Sequence, residues 1–193
     1  LPQQCRAAWT LAQALELPST YEAFRHAVVM GMGGSAIGGA LLQGLVAGEC
    51  DVSITVVRGY ALPAFVHGPD TLAIGCSHSG NTEETLSALG EALERGTRPV
   101  IISTGGKAAA LAQESGIPLL RYDYPSQPRA ALGYSFTLLL GLFCRLGLVR
   151  DHSADLEEAV QVMEAWQAEI GPQVPAARNA AKSLAGQIEG RLP

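Results

Sequence analysis

Cys76-Ser77-His78-Ser79-Gly80-Asn81-Thr82-Glu83-Glu84-Thr85 joins an apolar run, Thr71 to Gly75, to a segment whose apolar residues recur at helical intervals, Glu83 to Arg95. A short apolar run feeding directly into a helix predicts a βα unit of a parallel sheet. Ser77, Ser79, Thr82 and Thr85 bring four hydroxyls to that junction, and Gly80 leaves the backbone free to curl around a ligand. The first amides of a helix have no intrahelical acceptor and carry the positive end of the macrodipole, so the junction is suited to an oxyanion. No lysine or arginine lies nearby, which points to one phosphate monoester held by neutral donors rather than a nucleotide triphosphate with its magnesium. Simple capping is the competing role: Asn81 or Thr82 as N-cap, with Glu84 three residues after Asn81 completing a capping box. Capping employs one such residue and leaves Ser77 and Ser79 unexplained.

A second junction lies upstream. Ala27-Val28-Val29-Met30 reads as a buried strand, and Gly31-Met32-Gly33-Gly34-Ser35-Ala36-Ile37-Gly38-Gly39 leads from it into the apolar-periodic Ala40 to Val46. The glycines are expected to make a tight turn with close backbone approach, and Ser35 falls where a helix would start. Both junctions would meet at the carboxyl edge of one parallel sheet, where open α/β folds bind ligands. Further strands are expected at Asp51 to Val57, Arg98 to Ser103 and Ile117 to Tyr122, alternating with helices that include Lys107 to Glu114 and, before the first strand, Leu1 to Leu15. Alternating strands and helices give right-handed crossovers and a covered sheet, hence a three-layer α/β/α sandwich on five parallel strands. Past Tyr124-Pro125-Ser126-Gln127-Pro128 the pattern turns helical: a largely apolar helix from Arg129 to Val149, compatible with burial or a subunit contact, then Asp155 to Ile170 and Ala176 to Ile188.

Three motifs in order, Met30 to Gly39, Ser77 to Thr85 and Gln127-Pro128-Arg129-Ala130-Ala131, resemble the sugar isomerase (SIS) domain, and more narrowly the amino-terminal half of bifunctional phosphoglucose/phosphomannose isomerases. The resemblance implies a flavodoxin-like strand order, a domain boundary near residues 125 and 126, and a helical extension over 126–193 toward a second SIS domain. It implies that Gly33, Gly34, Ser35, Ser77, Ser79 and Thr82 hold the phosphate of a hexose 6-phosphate. It also implies that Arg129 stabilises an enediolate formed during proton transfer. A permanently charged guanidinium suits negative charge developing where water is scarce. The family's general base and ring-opening histidine belong to the second domain, so these residues are expected to bind but not to isomerise alone. Glu83 and Glu84 favour the helix dipole more than they suit a base, and His78 is not expected to be a catalyst. A non-catalytic SIS module that senses a sugar phosphate is the alternative.

Composition narrows the partners. Of 193 residues 48% are hydrophobic and 16% charged, and the formal net charge is −5, without a block of Lys and Arg to track a nucleic acid. Gly31-x-Gly33-x-x-Ala36 also fits a relaxed dinucleotide fingerprint, but Arg58 stands where a ribose-binding acid is wanted, leaving only an NADP version of that reading. Cys5, Cys50, Cys76 and Cys144 are scattered, so no metal site, disulfide frame or cofactor is expected, and Cys76 reads as a buried strand-end thiol. The stretch Phe136 to Leu148 is too short to cross a bilayer. The scattered cysteines fit a reducing cytoplasm, and the SIS resemblance implies a homodimer, with Phe136 to Leu148 as the candidate interface.

Overall fold

The computed structural model describes residues 1–191. It divides into two compact units, the first formed by Leu1 and residues 3–152, the second by Pro2 and the chain from Ser153 onward. The first unit holds a sheet of parallel strands β1 (His26–Gly31), β2 (Ser53–Val57), β3 (Thr71–Ser77), β4 (Arg98–Ser103) and β5 (Leu119–Arg121) in the order β2-β1-β3-β4-β5. The expected five-stranded α/β architecture and flavodoxin-like order are therefore present.

Period-two alternation assigns the faces. Ala27 and Val29 of β1 join the core with α1 (Pro2–Gln13), α2 (Gly33–Leu45) and α5 (Leu132–Arg145), while Val28 and Met30 join that with α3 (Glu83–Glu94) and α4 (Gly106–Ser115). Strand order reverses between β1 and β3, which puts the crevice for a ligand at their carboxyl ends. The register Gly31↔Cys76 sets both motif loops side by side there.

Several elements differ from their expected form. The glycine stretch is helical from Gly33, two residues before the helix start expected at Ser35. Tertiary contact explains this: a Cβ on Gly38 would stand 2.6 Å from the Ser135 carbonyl oxygen of α5, and one on Gly39 would stand 2.8 Å from Val29 Cγ1. Helix propensity alone disfavours such a segment, and its packing overrides that. Strand β3 runs on through Cys76 and Ser77, both buried. The helix expected from Arg129 starts only at Leu132, behind a 3-10 turn over Pro128–Ala131 that carries Arg129. Leu138, Leu139, Leu140, Leu142 and Phe143 are buried in the first unit's core, so Phe136 to Leu148 is not a free face for a subunit contact. The first compact unit accordingly extends past residue 125 to include α5.

The second unit contains α6 (Ser153–Ile170) and α7 (Ala180–Ile188), with Asn179 capping α7 by accepting from the Lys182 amide at 3.0 Å. Among the described residues, no helix is long and apolar enough to cross a membrane. No group of three or more His, Cys, Asp or Glu among them could hold a metal ion.

Candidate functional site

Two helix starts and one turn meet beyond β1 and β3. Helix α3 begins after Thr82 and helix α2 after Met32, and neither N-cap residue makes a side-chain capping bond. The capping box expected from Asn81, Thr82 and Glu84 is thus absent. Asn81 Oδ1 instead accepts from the Lys107 amide at 3.1 Å, and the Thr82 hydroxyl lies 2.9 Å from Ser77 Oγ. No N-cap side chain therefore occupies the leading amides of either helix, although the Ser35 amide of α2 donates to the Met32 carbonyl at 3.0 Å.

The sequence-predicted residues come together around these starts. Ser35, in the first turn of α2, is buried and its Oγ accepts from the His78 amide at 3.3 Å, joining the first loop to the second. Ser77 is buried at the end of β3, whereas Ser79 is exposed, its Oγ accepting from the Asn81 amide at 3.2 Å. Gly80 has φ +70, and a Cβ there would stand 1.8 Å from the Gly105 carbonyl oxygen, so both conformation and space require glycine. A Cβ on Gly34 would come within 3.0 Å of the Pro128 carbonyl and the Arg129 amide nitrogen, which sets the Arg129 turn against the first loop. Gly33 is exposed, and a Cβ there would meet nothing within 4 Å, so that side of the cradle is open. The Arg129 side chain is exposed. Glu83 and Glu84 sit in the first turn of α3, where a carboxylate complements the helix dipole.

Residues without a local sequence signal brace this arrangement. Gln4 of α1 is buried; its Nε2 donates to the Ala130 carbonyl at 2.8 Å and its Oε1 accepts from the Gly133 amide at 3.1 Å. His78 is held by Tyr122 and by the Ser126 carbonyl, each at 2.9 Å, and Thr104 Oγ1 donates to the His78 carbonyl at 2.6 Å. Burial pushes the Tyr122 hydroxyl far above its ordinary range, with the neighbouring Cys76 and Tyr134 adding to the effect. Burial likewise pushes the Cys76 thiol up to about 12, so that side chain is a neutral core group beside the site.

An α/β sandwich of order β2-β1-β3-β4-β5 with hydroxyl-lined helix starts at its switch point has the fold of the SIS-type phosphosugar isomerases. Along its whole length the chain is related to bifunctional phosphoglucose/phosphomannose isomerases. It is 40% identical over 193 residues to that of Caldicellulosiruptor bescii, covering 100% of this chain and 57% of the relative. With that of Aquifex aeolicus it shares 33% identity over 171 residues, 88% of this chain and 49% of the relative. The chain thus spans about half the length of the curated relatives it matches. Among solved structures, tagatose-6-phosphate ketose/aldose isomerase from Escherichia coli superimposes with a TM-score of 0.57 at 15% identity, over 85% of this chain and 50% of that one. No protein-family model matches the chain.

Proposed function

We propose that these residues form the phosphate-binding half-site of an aldose–ketose isomerase that converts glucose 6-phosphate and mannose 6-phosphate to fructose 6-phosphate. The observation that carries the reading is the convergence of Ser35, Ser77, Ser79 and Thr82 on two helix starts without side-chain caps. Gly33 leaves room for a phosphate to approach the first amides of α2, Gly34 lets the Arg129 turn close against them, and anchoring that remote group orients the reacting carbons. After ring opening, a base takes the C2 proton and the same proton returns to C1. The planar enediolate between these steps has lost its C2 stereochemistry, which lets one site accept both aldoses. Arg129 would stabilise the enediolate charge at the sugar end of the cradle.

The base is the part these residues do not supply. Both ring nitrogens of His78 are engaged, and Glu83 and Glu84 face the dipole of α3. The base and the ring-opening group are assigned to the portion of the relatives' length that this chain does not span, and turnover by the 193 residues alone is expected to be negligible. The engagement of His78 also favours a second reading, a sugar-phosphate sensor without catalysis; addition of the second domain followed by an isomerase assay separates the two. A homodimer in the cytoplasm remains the proposed setting.

Calorimetric titration with fructose 6-phosphate tests the half-site, with NADP as control. Ser79→Ala removes a donor to a charged ligand and is expected to weaken binding by about 10- to 100-fold. Equal affinity in the variant, NADP binding in place of the sugar phosphate, or robust isomerisation by this chain alone would refute the reading.

A further inference from the structure

His78 lies between the two serines of the second loop, yet its side chain points away from their hydroxyls to the connector before Arg129. Its Nε2 is 2.9 Å from the Ser126 carbonyl oxygen, and a carbonyl only accepts, so Nε2 carries the proton. Nδ1, 2.9 Å from the Tyr122 hydroxyl, then accepts from that O–H in the neutral ring. The Tyr122 ring is itself fixed, stacked on Tyr134 with centroids 4.7 Å apart and an interplanar angle of 16°. The His78 backbone is fastened as well, by its amide to Ser35 Oγ and by its carbonyl to Thr104, which donates both N–H and hydroxyl. One residue thereby ties the start of α2, the end of β4, the end of β5 and the 124–128 connector to the phosphate loop.

Arg129 follows Ser126 by three residues. The far end of its turn is held by Gln4, through Ala130 and Gly133, and its backbone abuts Gly34. The near end has His78. Without the imidazole, the Ser126 carbonyl and the Tyr122 hydroxyl each lose their partner in a half-buried setting.

We propose that His78 is a positioning residue: as the neutral Nε2–H tautomer it holds the 126–129 turn over the first glycine loop and so sets where the Arg129 guanidinium meets the sugar. The inference rests on the reading that Arg129 faces the sugar end of the cradle. The hold on the turn can be measured without any ligand.

The experiment uses the 193-residue chain and its His78→Ala, His78→Asn and His78→Gln variants. Long-range proton–nitrogen NMR of the imidazole reads the tautomer, and amide exchange reads the Ala130 N–H, which donates to the Gln127 carbonyl at 2.9 Å inside the turn. A glutamine amide nitrogen reaches about where Nε2 lies, and an asparagine only to Nδ1. Exchange at Ala130 is therefore expected to rise by about tenfold in His78→Ala and His78→Asn and to return to within about threefold in His78→Gln, with α5 amides unchanged as the check on folding. A second arm titrates a five-carbon aldonate 5-phosphate, whose planar carboxylate mimics the enediolate, and inorganic phosphate. His78→Ala should weaken the aldonate as much as Arg129→Ala does, the double variant should be no worse than either, and inorganic phosphate should bind all of them alike. An Nδ1–H tautomer, equal Ala130 exchange in every variant, or additive losses in the double variant would overturn the proposal. If the unsubstituted chain binds neither probe, the sugar-phosphate reading fails, and the positioning role stands or falls on the exchange data.

Discussion

Gly38 and Gly44 lie in the same helix, and replacing each by alanine should have opposite effects. In both cases alanine relieves the helix of a glycine, worth about 1 kcal/mol in propensity. At Gly44 a Cβ meets nothing within 4 Å, so Gly44→Ala should realise that gain and raise Tm by roughly 2–4 °C for a chain of this size. At Gly38 the added carbon would stand 2.6 Å from Ser135 O, 2.7 Å from Ser135 C and 3.0 Å from Phe136 N, all backbone atoms of α5. Carbon contacts are comfortable only at about 3.5–4.0 Å, so α2 and α5 must part by roughly 1 Å. Overpacking of that kind costs about 1–3 kcal/mol, and against main chain the upper end applies, leaving Gly38→Ala about 2 kcal/mol less stable and roughly 4–8 °C lower in Tm. The separation would also draw Ser35 away from the His78 amide, which it now meets at 3.3 Å, so fructose 6-phosphate binding should weaken only in Gly38→Ala. Urea unfolding gives the stability difference, provided m is the same in all three proteins. If Gly38→Ala stabilises as much as Gly44→Ala, the close α2–α5 approach that explains the glycine motif is wrong.

Cys76 makes stability depend on alkaline pH. Its thiol ionises near 9.0 when unfolded and only near 12 when folded, so the folded state is favoured in full below pH 9.0 and loses that advantage as pH rises toward 12. Tm measured from pH 8 to 11 should fall less steeply in Cys76→Ala than in the unsubstituted chain, and parallel curves would refute this account. Arg95 holds the loop between β2 and β3: its guanidinium donates to the carbonyls of Leu62, Pro63 and Val66 and pairs with Glu91, which accepts from the Leu62 amide. Arg95→Ala should cost about 2 kcal/mol and speed protease cleavage within 62–68, whereas unchanged cleavage would show that the loop holds itself.

What the sequence revealed and what it hid divide along the distance over which the deciding interaction acts. The strands are legible because an apolar run such as Thr71 to Gly75 states its own burial, and the hydroxyl cluster proposed for phosphate because Ser77, Ser79 and Thr82 sit within six residues of a helix start. The helix expected from Arg129 starts three residues later for a reason the local sequence does not contain: Gln4, 126 residues from Ala130, donates a hydrogen bond to the turn Pro128–Ala131. The contacts of His78 are hidden from the sequence on the same ground, since its partners Tyr122 and Ser126 are 44 and 48 residues away.

The glycines of 33–39 show the limit most clearly. A turn that needs positive φ and a helix that must press against its neighbour ask for the same residue, and only the neighbour decides between them. Gly33, at φ +49 with open space around it, answers to the first demand, while Gly38, with the Ser135 carbonyl where its Cβ would be, answers to the second. The two roles are mechanically connected, because both glycines lie on α2. Close packing at Gly38 fixes α2 on α5, and Gly33 and Ser35 at its start then sit at a set distance from the turn that leads into α5 and carries Arg129. A single helix–helix contact thereby sets the spacing between the proposed phosphate anchor and the proposed catalytic cation, which is the quantity that orientation of a phosphorylated sugar depends on.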